Sequence, residues 1–181
     1  MNKKGTAPLP AAFKGKTNIY EAKIFKGYIP GSIGRVVELH GAYYHKYWGF
    51  GPFFEAKVAS ELAEFISRYD ERRDGFWTAL INGCIEGSIT IDGVHAERQG
   101  AHLRWFIMSD AYRGKGIGNK LISIAIDFCK SNRYNRVYLW TFEGLHAARH
   151  LYEKMGFKLV EQHRGKQWGR EVNEQRFELC I

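Results

Sequence analysis

The chain has 181 residues, of which 45% are hydrophobic, 25% charged and 15% aromatic, with a formal net charge of +8. That length suits one domain, which buries about two-thirds of its unfolded surface and needs neither a disulfide nor a metal staple. The apolar and aromatic content excludes a wholly disordered chain. No apolar run approaches the roughly 20 residues that cross a bilayer, since the best stretch, Leu121 to Cys129, is interrupted by Asp127.

Residues 1 to 18 contain Gly5, Pro8, Pro10 and Gly15 with little periodicity. They are expected to form a basic, flexible N-terminal arm ahead of a single domain over 19–181. Tyr20 to Ile29 has strand-like content before Pro30-Gly31. Ser32 is placed to cap a helix reaching Trp48, with Val36, Val37, Leu39, Tyr43 and Tyr47 on its apolar faces. Gly49-Phe50-Gly51-Pro52 breaks that helix. A second is expected from Phe53 to Tyr69, where Phe54, Val58, Leu62, Phe65, Ile66 and Tyr69 recur at three- and four-residue steps.

The period then changes to that of strands. Phe76–Ile81, Asn82-Gly83 and Cys84–Ile91 spell a hairpin with a two-residue turn. A polar turn from Asp92 to Gly100 leads to a strand, Ala101–Met108. A Gly-rich loop, Arg113 to Gly118, opens a helix over Ile117 to Ser131. Val137–Phe142 reads as a strand, Leu145–Met155 as a helix stopped by Gly156, and Phe157–His163 and Asn173–Cys180 as two closing strands. The order is β-α-α-β-β-β-α-β-α-β-β. The β-α-β passage from Ala101 to Phe142 requires one parallel pair. The hairpins elsewhere imply a mixed, largely antiparallel sheet, hence an α+β fold.

The loop Arg113-Gly114-Lys115-Gly116-Ile117-Gly118 carries the clearest chemistry. Glycines permit a tight turn and a close backbone approach. Free N–H groups at a helix start favour an anion such as pyrophosphate, and Arg113 and Lys115 add positive charge. The spacing fails the Walker A pattern, because Lys120 precedes Leu121. It fails the dinucleotide fingerprint too, because Asn119 stands where the third glycine belongs.

With Ala101–Met108 before it, this loop resembles motif A of the GCN5-related N-acetyltransferase (GNAT) superfamily. Ala148-Arg149-His150-Leu151-Tyr152-Glu153-Lys154-Met155-Gly156-Phe157 resembles motif B. More loosely, Gly31 to Tyr69 and the strand end at Trp140-Thr141 look like the acetyltransferase half of proteins that fuse a MarR-type regulator to such a domain. The resemblance implies a sheet with helices on both faces and a splayed parallel pair, Ala101–Met108 with Val137–Phe142. It implies acetyl-CoA as co-substrate and no metal. The backbone at Phe106, Ile107 and Met108 would hold the pantetheine arm. Residues Arg113, Gly114, Lys115, Gly116, Ile117 and Gly118 would hold the pyrophosphate, with Ala148 and Tyr152 lining the cofactor from the motif B helix. Tyr152 would protonate the departing thiolate. The family often has asparagine seven residues before that tyrosine, and Leu145 stands here.

An amine must be neutral to attack a thioester, so a base is needed. Glu38, Glu86 and Glu143 are the candidates, and ordered water is the alternative. His102, Arg104, Phe106 and Met108 alternate along their strand and are expected on one face. Arg104 would there meet an acidic acceptor or pair with a carboxylate. His146 and His150 lie one helical turn apart, without a marked third ligand for a metal. The aromatic stretch Tyr43, Tyr44, Tyr47, Trp48, Phe50, Phe53 and Phe54 is expected to be mostly core, with some members against substrate.

Residues 1–26 hold six lysines and one acid, and the rest is only mildly basic. The charge therefore marks the arm more than the body, and nucleic acid is not the expected partner. Cys84, Cys129 and Cys180 form no CxxC pair, which argues against a disulfide framework and for a reducing cytoplasm. The lack of an apolar stretch behind Lys3 and Lys4 argues against a signal peptide. The expected function is direct acetyl transfer from acetyl-CoA to a primary amine of a small molecule or peptide. The alternatives are a non-catalytic acyl-CoA sensor and a basic nucleic-acid-binding protein. Family members commonly dimerise, so the resemblance leaves a homodimer open.

Overall fold

The computed structural model describes residues 22–181. The expected arm over 1–18 lies outside the described residues. The first strand, β1 (Lys23–Lys26), leads to two helices, α1 (Ser32–Trp48) and α2 (Pro52–Ser67). The hairpin follows as β2 (Gly75–Ile81) and β3 (Cys84–Asp92), then a one-turn helix, α3 (Ala96–Gln99), and β4 (Ala101–Met108). The remainder is α4 (Ile117–Ser131), β5 (Arg136–Phe142), α5 (His146–Lys154), β6 (Lys158–Gly165) and β7 (Val172–Cys180). The strands form one sheet in the order β1-β2-β3-β4-β5-β7-β6. Every neighbouring pair is antiparallel except β4 with β5.

Two apolar cores flank this sheet. Val36 from α1 and Phe54, Leu62 and Phe65 from α2 pack with Trp105 and Phe142 on one face. Leu121, Ile122 and Ala125 from α4 pack with Ile89, Leu139 and Phe177 on the other, and Tyr152 of α5 joins them. The three- and four-residue spacing of the apolar positions is what lets each helix bury one stripe.

The Asn82-Gly83 turn has φ of 53° and 80° at its two central residues. That is the twin left-handed geometry that matches strand twist in a two-residue hairpin. Ser32 behaves differently from expectation. Gly31, at φ 86°, is the N-cap of α1, and no side chain caps it. Ser32 is the first helical residue, and its hydroxyl is buried without a partner. The left-handed entry, which glycine adopts without strain, displaces the serine inward. Helix α2 begins at Pro52, whose missing N–H costs nothing at the first helical position. It ends at Ser67, short of Tyr69.

The parallel pair is the irregular part. β4 and β5 pair at Ala101–Val137 and His102–Tyr138. Beyond that point β5 stays with β7 as far as Phe142, and β4 stays with β3. A bulge in β4 accompanies the separation. Thr90 faces Arg104 but Ser88 faces Ile107, so β4 carries an extra residue. Trp105 adopts φ 45° there, and the Ser88 hydroxyl donates to its carbonyl at 2.7 Å.

The bulge overturns the expected alternation. Leu103 packs into the α4-side core. Arg104 and Trp105 both face α2, where Arg104 meets Glu61 and the Trp105 ring lies 5.5 Å from Phe65. Phe106 returns to the α5 side, 6.2 Å from Tyr152. Arg104 and Phe106 therefore sit on opposite faces. An extra residue in a strand resets which side each later side chain takes.

Candidate active site

The splay of β4 from β5 opens a cleft of about 1060 Å³. Its walls come from α1, α2, both strands, the Gly-rich turn, α5 and the loop bearing Gln167 and Trp168.

One half is built from the motif residues. Phe106, Ile107 and Met108 line it, and the β5-facing edge of this stretch has no strand partner. Gly114 and Gly116, at φ 73° and 80°, shape the turn. A Cβ on either would meet nothing within 4 Å, so the space in front of the turn is open. Gly116 is the N-cap of α4, and no side chain caps that helix. The first-turn N–H groups have no acceptor within the helix, a feature that favours an anion. Gly118 also lines the cleft, while Ile117 is buried beneath it.

Arg113 lines the cleft but its side chain is engaged. Its Nε donates to the Met108 carbonyl at 3.0 Å and its Nη1 pairs with Asp110 at 3.1 Å. The guanidinium lies 3.8 Å from the centre of the Tyr43 ring. It ties the turn to the end of β4 and to α1, which makes its first contribution one of shape. The Lys115 ammonium sits over the Tyr112 ring at 4.7 Å, outside the cleft lining.

Tyr152 and Ala148 of α5 line the same half. The Tyr152 ring packs against Phe106, Phe157 and Phe177. Burial, with a smaller contribution from nearby Tyr44, pushes its phenol well above the usual value, so it holds its proton. His146 and His150 also line the cleft. Among the described residues, no group of three or more His, Cys, Asp or Glu is arranged to hold a metal.

The structure does not bring the three candidate carboxylates into the cleft. Glu38 is 64% exposed on α1 and pairs with Arg35 at 2.9 Å. Glu86 also pairs with Arg35, at 3.3 Å. Glu143, at the end of β5, accepts a bond from Asn173 at 3.2 Å. For Glu38 the cause is helical phase, since it falls on the outer side of α1 while His40 and Tyr44 fall on the cleft side.

The other half holds Tyr44 of the aromatic stretch and residues that sequence reasoning passed over: His40, Lys57, Glu61, Gln167 and Trp168. Lys57 and Glu61 carried a readable signal, because they interrupt the apolar stripe of α2 between Phe54, Val58 and Leu62. Trp168 carried none, because its place against Phe142 (5.5 Å between rings) depends on how a loop folds back. The buried Glu174 holds that loop by accepting from the Gln167 backbone N–H at 2.9 Å and from its side chain at 2.6 Å.

His40 is buried, and its Nδ1 donates to the Val36 carbonyl at 2.8 Å in the neutral tautomer this contact requires. Burial lowers its pKa to about 4. Burial and the Arg104 charge lower that of His102 to about 3. An unfolded imidazole binds a proton below about pH 6.5, whereas these rings resist protonation until about 4 and 3. The unfolded state therefore gains protons first, and stability falls as pH drops through that window. The expected loss for His40 is on the order of 2 kcal/mol at pH 5, with a comparable amount from His102. Thermal unfolding should show a midpoint several degrees lower at pH 5 than at pH 7, and a flatter profile for His40→Gln. Equal midpoints at the two pH values would contradict this account.

The acetyltransferase (GNAT) family model matches residues 35–157. The N-acetylaspartate synthetase of Xenopus tropicalis is 34% identical over 114 residues, 60% of this chain and 41% of that protein. An uncharacterized N-acetyltransferase of Methanocaldococcus jannaschii is 29% identical over 129 residues, 68% of this chain and 56% of that protein. The chain thus spans about half the length of these curated relatives, or less. In three dimensions it resembles an acetyltransferase of Salmonella typhimurium solved with acetyl-CoA, at a TM-score of 0.69 and 16% identity, over 88% of this chain and 93% of that one. With the match covering both motifs, the bulged strand and the glycine turn between them, the chain belongs to the GNAT acetyltransferase family.

Proposed function

We propose that the protein is an acetyl-CoA-dependent N-acetyltransferase acting directly on a primary amine of a small-molecule or peptide acceptor. The observation that carries this reading is the free edge of β4 at Phe106–Met108 running toward an uncapped, glycine-bounded helix start. An extended amide-bearing arm can add to such an edge as a short strand, and its pyrophosphate then reaches the N–H groups at residues 113–118. Gly114 and Gly116 leave the room that this approach needs.

Acetyl-CoA supplies the acetyl group as a thioester and departs as a thiol. The chain's part is to place the acceptor nitrogen at the carbonyl, remove one proton from that nitrogen and return one to sulfur. Tyr152 is the residue for the last task, with a phenol that keeps its proton and lines the cleft beside the glycine turn. It donates toward sulfur as negative charge gathers there. His40 is too weak a base, at about 4, to hold an ammonium proton. Glu61 is neutralised by Lys57 and Arg104. That leaves His146, His150 or water in the cleft to take the acceptor's proton.

The reading extends to a single catalytic domain over 19–181 acting in the cytoplasm, with the looser likeness to the MarR fusions confined to their catalytic half. Thiol release from acetyl-CoA over a panel of amines tests it. We expect turnover that depends on the amine. Tight acetyl-CoA binding with no turnover across the panel would make the protein a sensor domain instead.

A further inference from the structure

We propose that Lys57 and Arg104 form a carboxylate subsite in the acceptor half of the cleft, so that the acceptor is an amine bearing a carboxylate. This rests on the reading of the cleft as the place where acceptor and acetyl-CoA meet. The four residues of α2 that line the cleft are Phe54, Lys57, Val58 and Glu61. On a stripe that faces the sheet, apolar side chains are the rule, yet every second one here is charged. Lys57 and Arg104 converge on the same carboxylate, Glu61. A purely structural pairing needs one cation, and here there are two.

Asp92 balances the second only in part, through an ion pair without a hydrogen bond. Its carboxylate is held at both oxygens by Arg68, at 3.1 and 2.6 Å. The Arg104 Nη1 lies 3.6 Å from it, beyond hydrogen-bond range. Arg104 therefore retains unused N–H donors, and its guanidinium is fixed 4.1 Å from the centre of the Trp105 ring. Lys57 has three donors, and the hydrogen bond described for it is the one to Glu61. The side chains remain reachable, at 31% exposure for Lys57, 32% for Glu61 and 20% for Arg104.

Charge over the whole cleft points the same way. Among the described residues lining it, Lys57, Arg104 and Lys154 stand against one carboxylate, Glu61, and Arg113 is already paired with Asp110. A polyamine or a lysine side chain would enter against that field. A carboxylate would be drawn in and received between apolar walls of Val58, Trp105 and Phe142, where pairing is stronger than in water. The same cations disfavour a protonated acceptor nitrogen, which assists formation of the neutral nucleophile.

L-glutamate, glutarate and cadaverine share a five-carbon chain with different charges and serve as probes. Calorimetric titration of the full chain is expected to show glutarate and L-glutamate binding at least tenfold more tightly than cadaverine. Lys57→Gln, which leaves Glu61 paired with Arg104, should weaken glutarate about tenfold. Glu61→Gln should tighten it, because the competing internal carboxylate is gone. The opposite sign, with Glu61→Gln losing binding and cadaverine the best ligand, would show that Glu61 receives an ammonium and would overturn the proposal. So would failure of both dicarboxylates to bind. Acetyl-CoA turnover with L-glutamate and with cadaverine, run in parallel, separates the two readings. Glutarate binding without turnover of any amine of the panel defeats the transferase assignment and keeps the subsite, whereas cadaverine turnover without glutarate binding does the reverse.

Discussion

Gly116→Asp is expected to raise the dissociation constant for acetyl-CoA more than a hundredfold, about 2.8 kcal/mol, while leaving the protein folded. A Cβ at this position meets nothing within 4 Å, so no internal clash opposes the change. The left-handed φ of 80° adds a cost of about 1–2 kcal/mol for an L-residue, and aspartate tolerates that region better than most. Aspartate is also a good N-cap, and Gly116 is the N-cap of α4. The new carboxylate would therefore bond the first-turn N–H groups itself and occupy the anion seat with its own charge. Gly116→Ala separates the two effects, because it carries the strain without the carboxylate and should weaken acetyl-CoA far less. Titration calorimetry with thermal unfolding on both variants reads the result. Wild-type affinity in a folded Gly116→Asp protein would remove the pyrophosphate from this turn.

The second large effect is expected at Tyr152→Phe, with kcat lowered about a hundredfold or more and the KM for acetyl-CoA changed little. Loss of a positioned proton donor costs rates of this order. The variant keeps the ring packed against Phe106, Phe157 and Phe177, so the wall of the cleft stays in place. An effect on kcat without one on binding marks an interaction made as charge develops on sulfur. Steady-state thiol release at saturating acceptor measures it. A variant with wild-type kcat would leave Tyr152 as a packing residue.

Much of the fold was legible. Asn82-Gly83 announced the hairpin because two successive left-handed residues suit few sequences, and the structure has φ of 53° and 80° there. The helices α1, α2, α4 and α5 followed from apolar spacing. The glycines at 114, 116 and 118 marked a turn, and all three line the cleft. What the sequence could not show were relations across the fold. Helical phase turns Glu38 to solvent beside Arg35, away from the cleft. Arg113 lines the cleft, with its Nε bonded to the Met108 carbonyl.

The sequence by itself determined the kinds and order of the elements, the parallel β4–β5 step and the glycine turn, because these depend on residues near one another in the chain. The tertiary structure alone decided which residues share the cleft. The bulge at Trp105 is invisible to alternation, since an extra residue looks the same in sequence as a regular strand. Yet it puts Arg104 beside Glu61 and Phe106 near Tyr152, on opposite sides of the sheet. The +8 of the whole chain tells the same story. Much of it belongs to the leading lysines, whereas the charge proposed to receive an acceptor carboxylate is the small local excess of Lys57 and Arg104 over Glu61. Coulombic attraction falls with distance and with water between the charges, so what counts is which charges meet within a few ångströms, and that is settled when the helices close on the sheet.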